Sequence, residues 1–252
     1  MSAVGRGLWR YAPLLLLALS WEIVTRLDLV SELVLPRLSS VFVELGGLFG
    51  SDLFVHASKS VYRGLTGLLA AIVFGVAAGI LMARYGPVRV VLKPLMQCFY
   101  PMPKSALIPL TIMWIGLGDS SKITLIFIGC LLPIVVSSFN AARGVDQVLL
   151  WSARSLGASE REVLGEVIVP AAMPEILNGI RTSLALSFIL VIAGELIISN
   201  NGIGFLIETL GEDGALAGMF AAIVVITTIG FAADRLFVAL TRRILRWREA
   251  VP

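Results

Sequence analysis

Six long apolar runs divide the chain, at about 11–29, 62–83, 92–116, 121–140, 181–200 and 216–240. A bilayer core takes about 20 residues of α-helix to cross, and inside lipid a lone segment satisfies its backbone only as a helix. The pattern predicts an all-α, polytopic membrane protein with about six transmembrane helices, folded as a single transmembrane domain over 1–252. The third run carries Pro94, Pro101, Pro103 and Pro109. Each proline removes a backbone donor and kinks a helix, so this run is expected to be broken, and buried among other helices rather than facing lipid. The second run holds Gly64, Gly67, Ala70, Ala71, Gly75, Ala77, Ala78 and Gly79. Small residues let helix backbones approach closely in lipid. The preferred reading of the Gly75–Gly79 pair is a packing face inside one subunit, with a specific dimer seam as the alternative.

Between the fourth and fifth runs lies a polar loop, 141–180, with helix signals of its own. The Asp146 carboxylate can accept from the orphan amides of a helix spanning Gln147 to Leu156. Leu149, Ala153 and Leu156 fall on one stripe of it. Gly157 then stands where a helix takes a left-handed terminator. Ser159 opens a second helix, and Glu162 completes a capping box with it. Val163, Leu164 and Val167 form its apolar side, Pro170 is expected to stop it, and Pro174 to open the next span. A compact helix–glycine–helix unit of this kind suits docking into a groove on a partner.

Composition agrees with a membrane protein: of 252 residues, 58% are hydrophobic and 15% charged, where a soluble domain has about 25% charged. Mean hydropathy is +0.93. The placing of the charges matters more than their sum. One set of connections holds Arg6 and Arg10, then Arg84, Arg89 and Lys93, then Arg143, Arg154 and Arg161, then Arg242, Arg243, Arg246 and Arg248. The other holds Arg37 and Lys59 in a long loop, the Gly116–Ser121 turn, and an acidic stretch at Glu208, Glu212 and Asp213. Basic loops stay in the cytoplasm, so both termini and the Trp151 loop are expected there. The N-terminal apolar run has no small-residue cleavage site at a suitable distance and reads as an uncleaved span.

Chemistry-bearing residues are few. Gly116–Lys122 lacks the glycine before lysine that lets backbone amides wrap a phosphate. A single histidine, His56, leaves no His-based metal or catalytic constellation; it reads as an interfacial residue before the second span. Cys98 and Cys130 lie in apolar surroundings and are expected to be packed, reduced thiols. Ionisable groups inside spans are often functional, and Glu195 is the clearest. It is read either as lining the pathway near its outer end or as a structural hydrogen-bond partner. Glu22 is read as interfacial. Gln97, Lys104, Ser183 and Ser187 are candidates for a polar conduit or for contacts between helices. The basic tail TRRILRWREAVP suits anionic headgroups.

The loop resembles the EAA motif of membrane subunits of bacterial ABC importers, E-A-A-x3-G-x9-I-x-L-P. The matching positions are Trp151, Ser152, Ala153, Gly157, Val167, Val169 and Pro170. The spacing holds throughout, while Trp151 and Ser152 replace the motif's Glu and first Ala. Four further segments are similar to the branch importing nitrate, aliphatic sulfonates, taurine and thiamine-precursor pyrimidines: Pro103–Ile123, Ser152–Ser159, Val169–Ala185 and Ala193–Ile207. Trp21–Glu22 followed by Leu35–Pro36 is similar too. The resemblance implies a type I ABC importer permease fold in a bacterial inner membrane. Its implied partners are a cytoplasmic ABC ATPase dimer, a second permease subunit (a homodimer), a periplasmic solute-binding protein and the lipid bilayer, with no nucleic acid. ATP and Mg2+ would bind the ATPase, leaving this chain without a cofactor or catalytic activity. Docking on the ATPase is expected from Trp151, Ser152, Ala153, Arg154, Ser155, Leu156, Gly157, Ala158, Ser159 and Pro170, and the pathway from Glu195, Ser187 and Gln97. A secondary transporter working without ATP is the first alternative, and an intramembrane enzyme the second.

Overall fold

A computed structural model describes residues 3–50 and 52–247, with side chains from residue 12 onwards. The side chains of Arg6 and Arg10, and all of Arg248, lie outside the described residues, as does the end of the basic tail. Every described element is helical: α1 (Ala3–Arg26), α2 (Leu38–Leu48), α3 (Leu53–Arg84), α4 (Gly86–Phe99), α5 (Leu107–Ile115), α6 (Asp119–Arg143), α7 (Gln147–Ser155), α8 (Glu160–Glu162), α9 (Val169–Ile197), α10 (Ile203–Glu212) and α11 (Leu216–Ile244). A 3-10 turn at Lys104–Ala106 precedes α5, and a π-helical stretch, Val163–Ile168, joins α8 to α9. Among the described residues four helices are long and apolar enough to cross a membrane: Leu53–Arg84, Asp119–Arg143, Glu160–Ile197 and Leu216–Ile244. The apolar runs at 62–83, 121–140 and 216–240 lie on three of these, and the run at 181–200 lies on the fourth up to Ile197. The run at 11–29 lies on α1 and the turn after it, and the run at 92–116 on α4, the 3-10 turn and α5.

The chain forms two compact units, residues 1–59 with 200–228, and residues 60–199 with 229–252. The first contains a clasp between α1 and α2. Trp21 Nε1 donates to the Pro36 carbonyl at 2.9 Å, and the Glu22 carboxylate accepts from Ser39 N–H at 3.2 Å in the first turn of α2. A carboxylate is favoured at that positive helix end, so the Trp-Glu and Leu-Pro pairs act together. In the same unit His56 Nδ1 accepts from Gly202 N–H at 3.0 Å, and its ring lies against Phe205 at 5.8 Å.

The second unit is built around α6 and α9, whose buried Ile126, Cys130, Ile134, Ile176, Ile180 and Val191 belong to one core. A close seam lies between α3 and α6. A Cβ on Gly67, Gly75 or Gly79 would stand 2.7 Å from Ile126 Cβ, 2.8 Å from Ile134 Cγ2 or 2.6 Å from Ser138 Cβ, closer than real Cβ atoms come. With Ala71 fully buried between them, these residues recur every fourth position and form one groove. The small-residue stripe is therefore a packing face inside the subunit.

Three expectations need correction. Pro170 does not stop a helix, because the chain is helical without a break over Glu160–Ile197. The Val169 N–H reaches back to the Leu164 carbonyl, a π register that shifts the carbonyl a proline ring would otherwise strike. The broken third run is buried in only one of its halves: α5 buries Leu107, Ile108 and Thr111, whereas α4 has no buried residue and its Val90, Val91, Leu95 and Phe99 are exposed. Its break is stabilised locally, since Lys104 Nζ donates to the carbonyls of Phe99, Tyr100 and Met102 at 3.0–3.1 Å. Prolines dictate where a helix breaks, not what covers it. Cys98, carried on α4, is consequently exposed, whereas Cys130 is buried.

Candidate functional site

The loop between α6 and α9 is held by its own short-range chemistry. Asp146 accepts from Val148 N–H at 2.9 Å and starts α7. At the other end Gly157 has φ +88°, a conformation that strains any residue with a Cβ. It allows Ala158 N–H to reach the Ala153 carbonyl at 3.1 Å and Gly157 N–H to reach Arg154 at 3.0 Å, the paired bonds of a left-handed helix terminator. Ser159 and Glu162 then form the capping box in both directions, Ser159 N–H donating to the carboxylate at 2.7 Å and Glu162 N–H to the hydroxyl at 3.4 Å. Leu156 is the C-cap rather than the last helical residue.

Glu160 fastens this loop to the bundle. Its carboxylate accepts from Arg154 Nε at 3.1 Å, across the glycine turn, and from Arg84 Nη2 at 2.5 Å, at the end of α3. Inward, Leu150 packs on the core and Val163 is buried. Outward lie Val148, Leu149, Trp151 and Leu156, the last 89% exposed. Ser152, Ser155, Gly157 and Ser159 are also exposed, while Ala153, Ala158 and Pro170 are half-buried. Of the expected docking residues, Arg154 is thus engaged within the chain. The Leu149 and Leu156 ends of the expected stripe face outward. The loop presents a surface of exposed apolar side chains, Val148, Leu149, Trp151 and Leu156.

Glu195 occupies a different site in the same unit. It is fully buried and accepts from Ser60 Oγ at 2.7 and 3.0 Å and from Arg63 Nη1 at 2.6 Å. Arg63, only 2% exposed, also donates from Nε and Nη2 to Asp119 at 2.8 and 2.6 Å. Lys122, buried beside them, donates to the Gly118 carbonyl at 3.3 Å. Arg63 and two carboxylates therefore tie α3, about three turns from its start, to the start of α6 and the end of α9, with Lys122 beside them. Arg63, Asp119 and Lys122 escaped the sequence reading. Their signal was topological: successive spans alternate in direction, so the first half of α3, the start of α6 and the end of α9 meet on one side.

The remaining candidates separate. Ser187 is buried and its hydroxyl donates to the Leu184 carbonyl of its own helix at 2.7 Å. Ser183 is buried with no hydrogen-bond partner for its hydroxyl among the described residues. Gln97 is exposed and lines an open cavity of about 350 Å³ with Lys93, Tyr100 and Asn140.

Residues 71–246 match the family of binding-protein-dependent transport system inner membrane components. The chain is 36% identical over 237 residues to the taurine transport system permease protein TauC of Escherichia coli K12, covering 92% of this chain and 86% of that one. It is 33% identical over 241 residues to the putative aliphatic sulfonates transport permease protein SsuC of Bacillus subtilis 168, covering 94% and 86%. In structure it is similar to an inward-facing form of the MetNI methionine ABC transporter, with TM-score 0.64 and 17% identity, covering 76% of this chain and 96% of that one. That similarity is one of fold. With the helical architecture and family match together, the chain belongs to the binding-protein-dependent transport system inner membrane components, the multi-pass permease subunits of ABC importers.

Proposed function

We propose that this permease imports a small solute of the sulfonate or taurine class, drawn by ATP hydrolysis in a separate subunit that docks on the loop 141–180. The names of the two relatives support the solute class. Nitrate-like ions and pyrimidines belong to the wider branch. A periplasmic solute-binding protein delivers the solute. ATP and Mg2+ bind the partner ATPase dimer, and this chain performs no catalysis. The basic connections support a cytoplasmic side for the loop and both termini.

The observation carrying this reading is the exposed apolar edge of α7, Leu149, Trp151 and Leu156, on a turn capped at every end and braced to α3 through Glu160. With tryptophan at the motif's glutamate position, docking rests on apolar packing and shape. A second copy of the chain completes the pathway. Irregular backbone at membrane depth is tolerated only where protein buries it or water lines it, and the break between α4 and α5 is exposed in the single chain. Gln97 faces the solute there. Glu195 holds α9 to α3 through Ser60 and Arg63, and Ser187 is bonded within its own helix.

Docking is tested with a Leu156→Cys variant in a background lacking Cys98 and Cys130, assembled with its ATPase and treated with a thiol-to-amine cross-linker. An adduct with the ATPase is expected, and none from Leu33→Cys, an exposed position on a loop expected outside the cell. Equal adducts from both positions, or none from Leu156→Cys, would contradict the docking.

A further inference from the structure

A polar cavity of about 280 Å³ lies beneath α7, lined by Arg84, Arg143, Arg154, Gln147, Leu150 and residues of the π-helical stretch. Three arginines line it, from the end of α3, the end of α6 and α7. Arg84 and Arg154 share one carboxylate, that of Glu160. Arg143 stands over the Phe139 ring at 5.7 Å, and no carboxylate lies within ion-pair distance of it among the described residues. Arg89 approaches the same ring at 5.9 Å. The cavity lining therefore carries three arginines and no acidic residue, with Glu160 bound to two of them from outside the lining. Arg84 and Arg143 end their helices, where the helix dipole favours cations. That accounts for each residue singly, but not for their meeting at one cavity with a third arginine and a side-chain amide.

Arginine presents paired N–H donors that match the oxygens of a phosphoryl or sulfonyl group. We propose that this cavity is an oxyanion site, and that its occupant locks α7 against the ends of α3 and α6. The chemistry is a tetrahedral oxyanion, supplied either free in solution or as the phosphate of an anionic lipid at the membrane surface. The site shares no lining residue with the cavity at Gln97 and bears on how firmly the loop is held.

The test uses the full chain purified without an ATPase, so its outcome is independent of docking. In one arm inorganic phosphate replaces chloride at constant ionic strength, and the thermal midpoint is followed. In the other, the protein is placed in nanodiscs of phosphatidylcholine alone or mixed with phosphatidylglycerol. A saturable rise is expected in at least one arm, the first marking a soluble ion and the second a lipid. The half-saturation point should move about tenfold in Arg143→Gln, the size expected for a lost charge-assisted hydrogen bond. Arg143→Lys, which keeps the charge and loses the fork, should fall between. Responses equal in wild type and both variants, or no rise in either arm, would overturn the proposal.

Discussion

Arg63 bonds to Glu195 and Asp119 from a position with 2% exposure. Replacing one partner of a buried pair strands a charge, typically costing about 3–5 kcal/mol, whereas replacing both by apolar residues is often neutral. Arg63→Met should therefore lower the thermal midpoint of the purified protein sharply, and Arg63→Met with Glu195→Leu should recover much of the loss. A double variant no more stable than Arg63→Met would show that the pair is not the unit. At this scale the sequence was partly readable. Asp146, Gly157, Ser159 and Glu162 act within a few residues of themselves, so their local pattern announces the caps. Arg63 lies 132 residues from Glu195, and no local rule connects them.

Packing of whole helices depends on positions where a side chain has no room. A Cβ on Gly79 would stand 2.6 Å from Ser138 Cβ and 2.7 Å from the Val135 carbonyl, so Gly79→Val must push α3 away from α6. Overpacking of this kind costs about 1–3 kcal/mol, and a lower thermal midpoint is expected. Gly46→Ala, in a helix with nothing within 4 Å of the added carbon, should be neutral or stabilising by up to about 1 kcal/mol. A Gly79→Val protein as stable as Gly46→Ala would remove the seam from the account. The fourfold spacing made this groove legible. Pro170 misled because its usual effect assumes α-helical register, and the π-helical stretch before it changes that register. The exposed α4 was illegible for another reason: apolarity marks a surface for burial without saying whether this chain or another covers it.

At the scale of the molecule, relatives and architecture agree on a permease, while the solute and the partners come from the proposal. Its central claim is that the α7–Gly157–α8 unit carries movement from an ATPase to the spans. Two connections support it: the apolar edge faces outward, and Glu160 bridges Arg154 to Arg84 at the end of α3. The unit works only if its turn keeps the left-handed geometry at Gly157. The most direct measurement is ATP-dependent uptake by proteoliposomes holding the permease, its ATPase and its binding protein, in wild type and in Gly157→Val. Uptake in the variant should fall about tenfold, the equivalent of roughly 1–2 kcal/mol of strain at a left-handed position, with the permease still inserted. Uptake and ATPase assembly equal to wild type would contradict the account.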